Sequence, residues 1–171
     1  IAHEHFLSSG PFAILPMTRN RSSIVWTERA DISPAILELD GAGFAVELKR
    51  RFGDFLGEIR VGPQRWSYPL SVIHARSYVG PRLALAGDAA HAIHPIAGQG
   101  FNLGLRDVAA LAEVVVDRLR LGLDPGDVSA LDRYEKWRRP DSMMMIAATD
   151  SLNRLFSNDV PPVRLARGAG L

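Results

Sequence analysis

The sequence has 171 residues, 47% of them hydrophobic and 23% charged, and this ordinary globular composition excludes disorder, collagen-like sequence and a long coiled coil. With 20 basic and 19 acidic residues the formal net charge is +1, so nothing draws the whole chain to nucleic acid or to an anionic membrane. Cysteine is absent, which excludes disulfides, thiolate catalysis and Cys-ligated metals, and no apolar run reaches the roughly 20 residues that a membrane-spanning helix needs.

Turn residues divide the N-terminal part of the chain into three short apolar stretches, at residues 6–7, 12–15 and 24–26. Such a pattern predicts an antiparallel sheet. Ser33 and Pro34, a capping residue followed by a proline, predict a short helix that ends near Gly41. The spacing of apolar residues predicts a second helix over residues 44–56. These elements belong to a mixed α+β unit.

Two later segments have the patterns of strands. Large apolar side chains stand at every second position of residues 66–73, beginning at Trp66, which predicts a strand. Pro69 within this segment predicts that it is an edge strand or a bulged one. Residues 82–88 form a nearly continuous apolar run that ends in Gly87 and Asp88, which is typical of a buried parallel strand. We therefore expect the chemistry of the chain to begin at the end of this second strand.

Two helices are predicted in the second half of the chain. Apolar residues from about 98 to 121 have helical spacing, and Gly122 supplies the stop. Ser129 is the predicted cap of a further helix. Pro140 either kinks this helix or begins a new one.

Five large side chains on these elements are interpreted first as packing residues. Met143 and Met144 have helical spacing, and methionine fills irregular gaps in a core. Trp26, Trp66 and Tyr68 lie on predicted strands, where packing on the sheet is the first interpretation. The alternative for these three aromatic residues is the lining of a cavity for an aromatic substrate.

The most informative segment is residues 87–107, which reads Gly-Asp-Ala-Ala-His-Ala-Ile-His-Pro-Ile-Ala-Gly-Gln-Gly-Phe-Asn-Leu-Gly-Leu-Arg-Asp. A strand delivers Asp88 at its carboxyl end, a loop with Pro95 follows, and a long helix then starts, which is where ligands bind in open α/β sheets. Gly98 and Gly100 lack a Cβ, so the backbone can approach a planar or anionic group closely. The first N–H groups of the helix carry partial positive charge, which suits the polar or anionic edge of a ligand.

This segment resembles the second FAD motif of the flavoprotein aromatic hydroxylases of the para-hydroxybenzoate hydroxylase fold, which runs Gly-Asp-Ala-Ala-His, then Pro, then Gly-x-Gly-x-Asn before a helix. Within that superfamily, the sequence of residues 94–107 most resembles the form of this motif that is characteristic of the ubiquinone-biosynthesis hydroxylases. Three further segments resemble the same family, namely residues 10–16, 134–141 and 150–156.

The resemblance implies an α+β or α/β fold that is part of the FAD-binding aromatic hydroxylase fold. Residues 1–80 would form the C-terminal part of an antiparallel substrate-binding sheet domain. Residues 81–125 would hold the second FAD motif, with the last strand of the FAD domain, and residues 126–171 would hold its C-terminal helices, truncated.

The resemblance also implies roles for individual residues in binding FAD. Asp88 would hydrogen-bond the ribityl chain, and Pro95 would lie beside the isoalloxazine ring. Backbone N–H groups near Gly100, Phe101 and Asn102 would face N1 and the C2 carbonyl of the flavin, where the helix dipole stabilises negative charge. The other implied cofactor-binding residues are Gly87, Gly98 and Gln99.

The remaining polar residues of the motif receive less specific interpretations. His91 and His94 have no cysteine and no third well-spaced histidine nearby, so no metal site is predicted. We interpret His91 as a structural hydrogen-bonding residue of the loop and His94 as a neighbour of the flavin or of the substrate cavity. Arg106 and Asp107 are interpreted as a local ion pair, worth roughly a few tenths of a kcal/mol if exposed.

The implied activity is hydroxylation of a polyprenylated phenol in ubiquinone biosynthesis. In this family NAD(P)H reduces FAD, O2 gives a flavin C4a-hydroperoxide, and the electron-rich ring attacks its distal oxygen. The protein positions the ring and excludes water, so no catalytic residue is assigned. The expected partners are the prenylated aromatic substrate, O2, and a homo-oligomer or a ubiquinone-synthesis complex. The expected location is the cytoplasm, with peripheral association at the inner membrane as an alternative.

The family opens with a strand, a Gly-x-Gly-x-x-Gly turn and a helix that hold the FAD pyrophosphate, and this unit is not found in the 171 residues. The chain is therefore expected to be the C-terminal half of such an enzyme, without bound FAD and inactive when isolated. Two alternatives stay open: a hydroxylase of the same fold acting on a small soluble phenol, and a non-catalytic packing or oligomerisation module.

Overall fold

A computed structural model describes residues 1–95 and 98–156. The chain divides into two compact units, one made of residues 1–69 with the described end of the last helix from Asn153, and the other of residues 70–152. The predictions for Ile96, Ala97 and residues 157–171 lie outside the described residues. The division into three functional segments stays a prediction.

Three antiparallel strands form the sheet of the first unit, in the order β1-β2-β3. They are β1 (His3–Leu7), β2 (Gly10–Met17) and β3 (Arg21–Trp26). In the register of the second pair Phe12 stands opposite Trp26 and Ile14 opposite Ile24, so apolar side chains meet on one face. This sheet confirms the antiparallel arrangement predicted from the three apolar stretches.

Two helices, α1 (Ser33–Glu38) and α2 (Gly41–Phe52), follow the sheet. The Asp40 side chain accepts a hydrogen bond from the Gly43 N–H at 2.7 Å, and this cap starts α2 at Gly41 rather than at residue 44. Gly53, with φ of +83°, ends α2 before residue 56 because a left-handed residue stops a helix. The side chains that close the core of this unit are Leu48, Phe52, Phe12 and Ile14.

Arg51 of α2 ties the helix to the sheet. Its guanidinium lies 4.1 Å from the centre of the Trp26 ring, and it pairs with Glu28 at 2.8 Å and with Glu47 at 2.5 Å. Trp26 also packs against Phe12, as the packing interpretation predicted. Glu28 is 10% exposed, so its charge depends on Arg51.

Glu28→Gln should lower the free energy of unfolding by about 1–3 kcal/mol at neutral pH, because it removes one partner of a largely buried pair. Burial raises the pKa of Glu28, but the hydrogen bond and charge of Arg51 outweigh it, so this pKa lies below its ordinary value. The stabilisation is therefore present at neutral pH and lost as the pH falls through the lowered pKa. Urea unfolding at pH 7 and pH 3 tests this, with the exposed Glu38→Gln as control, and an equal loss at both pH values would contradict it.

The second unit contains four two-residue strands and most of two long helices. The strands are β4 (Ile73–His74), β5 (Val79–Gly80), β6 (Leu83–Ala84) and β7 (His91–Ala92), and β4 pairs with β7 and β5 with β6, both antiparallel. A 3-10 turn over Gly87–Ala89 separates β6 from β7. The helices are α3 (Gln99–Arg120) and α4 (Val128–Phe156).

Two predicted strands differ from the structure. Of residues 66–73 only Ile73 lies in a strand, and Trp66 and Tyr68 are 68% and 75% exposed, so the packing interpretation is wrong for both. The buried parallel strand predicted over residues 82–88 is also wrong, because only β6 forms, antiparallel to β5, with Leu83 exposed. A parallel strand needs parallel neighbours, and no described residues supply them.

The long helix α3 confirms the prediction over residues 98–121, whereas α4 departs from its prediction in three ways. Asp127 rather than Ser129 caps α4, since its carboxylate accepts the Ser129 N–H at 2.9 Å. Pro140 lies inside a continuous helix and begins no new one. Met143 and Met144 are half exposed or more, so their packing prediction is wrong; the buried face of α4 is the one with Arg138, Ser142 and Thr149. No helix in the described part of the chain is long and apolar enough to cross a membrane.

Candidate functional site

The turn that carries Asp88 lies directly against helix α3. Gly87 adopts a φ of +59°, a left-handed conformation that favours glycine. A Cβ built on Gly104 of α3 would stand 3.4 Å from the Gly87 Cα, so this contact is between backbones. Two glycines therefore let the helix and the turn approach each other closely.

Asp88 is exposed beside this contact. Within residues 1–95 and 98–156 no hydrogen bond or ion pair engages its carboxylate. The carboxylate beside it in space on α3, Asp107, is by contrast fully buried and fully engaged. Asp88 is thus the acidic group of this segment that is placed to accept hydrogen bonds from a ligand.

At the beginning of α3, no described residue accepts a hydrogen bond from the backbone N–H groups of Gly100 and Phe101. Gly98 precedes the helix with φ of +60° and ψ of +28°, and no side chain caps the helix there. Helix geometry leaves the N–H groups of Gly100 and Phe101 without an intrahelical acceptor. A Cβ on Gly98 would meet no atom of the described residues within 4 Å, so these residues leave space beside this backbone. These donors and the helix dipole make the loop attractive to an electron-rich edge.

Apolar and polar groups flank these donors. Pro95 is half-buried in the loop, Phe101 is 76% exposed, and the Asn102 side chain donates to the Gln99 Oε1 at 3.2 Å. His94 is also half-buried, and burial lowers its pKa, with only a partial offset from Asp150. The imidazole is therefore neutral at pH 7. The site thus combines flat apolar surface with uncharged and acidic hydrogen-bonding groups.

A row of exposed apolar residues continues along α3 from the loop, and we call it the α3 stripe. Its members are at helical spacing and each is at least 40% exposed: Phe101, Leu105, Val108, Val116 and Leu119. Exposure of such a row along one helix face marks a surface that packs against something else.

Beneath the turn lies a buried charge cluster that the sequence patterns do not predict. Asp107 accepts hydrogen bonds from the Gly87 N–H at 2.9 Å, from the His91 Nε2 at 2.6 Å and from the Arg138 Nε at 2.7 Å. The predicted pair of Arg106 with Asp107 is wrong, because Arg106 lies on the exposed side of α3 and faces Asp141 at 3.6 Å. The structural role predicted for His91 is confirmed.

No signal in the sequence points to this cluster, since Arg138 stands 31 positions after Asp107 on another helix. In the part of the chain that the structure describes, no group of three His, Asp or Glu residues could hold a metal ion. The contacts seen within the cluster are hydrogen bonds and an ion pair.

Comparisons with known proteins identify the family to which the chain belongs. A model of the FAD-binding domain family matches residues 3–149. The chain is 61% identical over 171 residues to ubiquinone hydroxylase UbiL of Rhodospirillum rubrum, across 99% of this chain and 40% of that protein. It is 38% identical over 168 residues to 3-demethoxyubiquinol 3-hydroxylase of Escherichia coli, across 98% of this chain and 43% of that protein. The chain spans less than half the length of these relatives.

A solved structure is also similar. The crystal structure of PqsL, a probable FAD-dependent monooxygenase from Pseudomonas aeruginosa, superposes with a TM-score of 0.75. The superposition covers 92% of this chain and 44% of that chain at 21% sequence identity, which shows a shared fold. This similarity confirms the fold class that the sequence predicted.

Proposed function

Because the chain belongs to the family of FAD-binding domains, we propose that residues 87–102 form the flavin-ring edge of an FAD site. The Asp88 carboxylate accepts hydrogen bonds from the ribityl hydroxyl groups. The N–H groups of Gly100 and Phe101 face the N1 and C2 carbonyl edge of the ring, and Pro95 lies beside the ring. Gly87, Gly98, Gln99 and Asn102 shape the loop around it.

The observation that carries this proposal is an exposed, unengaged Asp88 next to the uncapped start of a 22-residue helix. FAD matches both groups, because its ribityl chain donates hydrogen bonds and its pyrimidine edge accepts them. Bound FAD supplies the redox chemistry, with NAD(P)H as the reductant and O2 as the oxidant. The residues of this chain bind the cofactor and orient it, and the positive end of α3 stabilises negative charge at the ring edge.

The whole protein is proposed to hydroxylate a prenylated phenol in ubiquinone biosynthesis. The names of the Rhodospirillum rubrum and Escherichia coli relatives support this activity. Nearly the whole of this chain matches a part of each relative. A prenylated substrate is strongly apolar, so the substrate domain must shelter its ring from water. Pro95, which is half-buried in the loop, supplies apolar surface beside the proposed position of the flavin ring.

The α3 stripe is proposed to pack against the dinucleotide-binding segment that holds the FAD pyrophosphate. The curated relatives are more than twice as long as this chain, so they have ample sequence for such a segment. The stripe begins at Phe101, next to the donors that face the ring. A partner on this face would therefore hold the other end of the same cofactor.

Asp88→Ala should weaken FAD binding about 10–100-fold while leaving folding intact, because it removes a charge-assisted hydrogen bond at an exposed ligand site. The protein for this test is a chimera in which the 171 residues replace the matching segment of the Rhodospirillum rubrum relative. FAD titration followed by flavin fluorescence gives the dissociation constant.

Glu113→Ala, which removes an exposed carboxylate from α3, is the matched control and should leave the FAD dissociation constant unchanged. Asp88→Asn separates charge from shape and should give an intermediate constant. An unchanged constant in a folded Asp88→Ala chimera would refute the ribityl role of this residue.

A further inference from the structure

Three charged or titratable side chains are buried together beneath the Gly87–Ala89 turn. Asp107 is 0%, His91 1% and Arg138 4% exposed. Burying a charge is costly unless it is paired and hydrogen-bonded, so a cluster like this forms only where its partners are held in place. The proposed flavin contacts do not use any of the three, and their role requires another explanation.

Asp107 connects three separate parts of the second unit. Its Oδ2 accepts from the Gly87 N–H of the turn and from His91 of β7, while its Oδ1 accepts from Arg138 of α4. The Gly87 N–H and the Arg138 Nε–H can only donate, so both of these hydrogen bonds run toward the Asp107 carboxylate. A single side chain of α3 thus fixes the turn relative to a strand and to a second helix.

The Gly87 N–H depends on this carboxylate. Gly87 begins the 3-10 turn in a left-handed conformation, and its N–H is directed to the Asp107 side chain rather than to a backbone carbonyl. An N–H left without an acceptor in a partly buried turn destabilises that turn. Asp88, the next residue, takes its direction from this turn.

Arg138 is the positively charged partner of the buried Asp107 carboxylate. Its guanidinium bridges Asp107 at 2.7 Å and Asp141 at 2.7 Å, and its carbonyl accepts from the Ser142 hydroxyl at 3.1 Å. The two carboxylates hold the guanidinium through its Nε and Nη1 atoms. It also supplies the positive charge that offsets the buried Asp107.

We propose that Arg138 is a positioning residue for the cofactor site, acting through Asp107 to hold the Gly87 turn and so to direct Asp88 toward FAD. This inference rests on the proposed function. It extends the site to α4, a helix that contributes no side chain to the flavin contacts. Loss of Arg138 removes the contact that fixes Oδ1 and the main counter-charge of Asp107, so the buried carboxylate can move away from the Gly87 N–H.

The first test measures how readily the Gly87–Ala89 turn opens in the 171-residue chain. Amide hydrogen exchange of peptides covering residues 86–92, followed by mass spectrometry, should be about tenfold faster in Arg138→Gln and less accelerated in Arg138→Lys, which keeps a charge. Arg133→Gln is the matched control. Arg133 also joins α4 to α3, through Glu113 and Asp117, but it is exposed and does not touch Asp107.

The second test measures the effect on the cofactor in the chimera. Arg138→Gln should raise the FAD dissociation constant about tenfold, Arg138→Lys should recover part of the loss, and Arg133→Gln should have no effect. Circular dichroism identifies any variant that fails to fold, and Arg138→Lys then carries both measurements. Faster exchange together with weaker FAD binding, in folded variants of Arg138 only, supports the proposal.

Two results would overturn it. Exchange over residues 86–92 that matches the unsubstituted chain would show that Arg138 does not hold the turn. An unchanged FAD dissociation constant in the Arg138 variants would show that cofactor binding does not depend on Arg138. This conclusion requires that Asp88→Ala weakens binding in the same titration. If Asp88→Ala also leaves the constant unchanged, the proposed function fails first, and the two failures are distinguished.

Discussion

The purified 171-residue chain should contain no FAD and should hydroxylate no phenol. The residues of the proposed site contact only the ring and the ribityl chain, so the energy that a complete site draws from the pyrophosphate and the adenosine is missing. When two regions of a protein bind the two ends of one ligand, each strengthens binding at the other. Loss of one region therefore weakens binding of the ligand roughly 10²–10⁴-fold. Absorption spectroscopy of the purified chain, before and after dialysis against FAD, measures this directly.

The chimera described above is the control for that loss, because it restores a complete relative around the same 171 residues. It should be purified with FAD bound and should regain the flavin absorption bands. A yellow preparation of the chain alone, with FAD that survives gel filtration, would mean that the 171 residues bind the cofactor without help.

The isolated chain should also self-associate through the α3 stripe. Leu105, Val108 and Leu119 are each more than half exposed, and Leu83 of β6 adds a further 56% exposed side chain. Covering apolar surface stabilises by roughly 25 cal/mol per Å2, so contact between two such stripes is favourable. Sedimentation across a concentration series should show mass increasing with concentration, together with binding of the dye ANS.

Leu105→Glu and Val116→Glu place charges on the stripe and should shift the chain toward the monomer. Glu113→Gln changes an exposed position elsewhere on α3, outside the stripe, and serves as the matched control. A monodisperse monomer at every concentration, without ANS binding, would contradict the prediction. The stripe would then be covered within the chain itself.

Elements specified by short-range patterns could be predicted from the sequence. Strands β1 to β3 alternate with turn residues, and the apolar residues of α3 recur at helical spacing until Gly122, so neighbours in the chain decide these elements. The candidate loop from Asp88 to Asn102 is also predicted from contiguous residues, and its FAD role, which rests on a family resemblance, stays a prediction.

Features that depend on distant partners could not be predicted. Residues 82–88 have the composition of a parallel strand, but composition does not show which neighbouring strands are present. Asp107 was assigned to its neighbour Arg106, whereas helix geometry turns Arg106 outward and leaves Asp107 to meet Arg138 from another helix. The sequence does not distinguish Asp127 from Ser129 as the cap of α4, because both are capping residue types.

The most direct test of the proposed flavin-ring edge is a crystal structure of the chimera with FAD bound. We predict the Asp88 carboxylate within hydrogen-bond distance of a ribityl hydroxyl, and the N–H groups of Gly100 and Phe101 facing the N1 and C2 carbonyl edge. A structure in which FAD is bound but its ring lies away from residues 87–102, with Asp88 still exposed to solvent, would contradict the account.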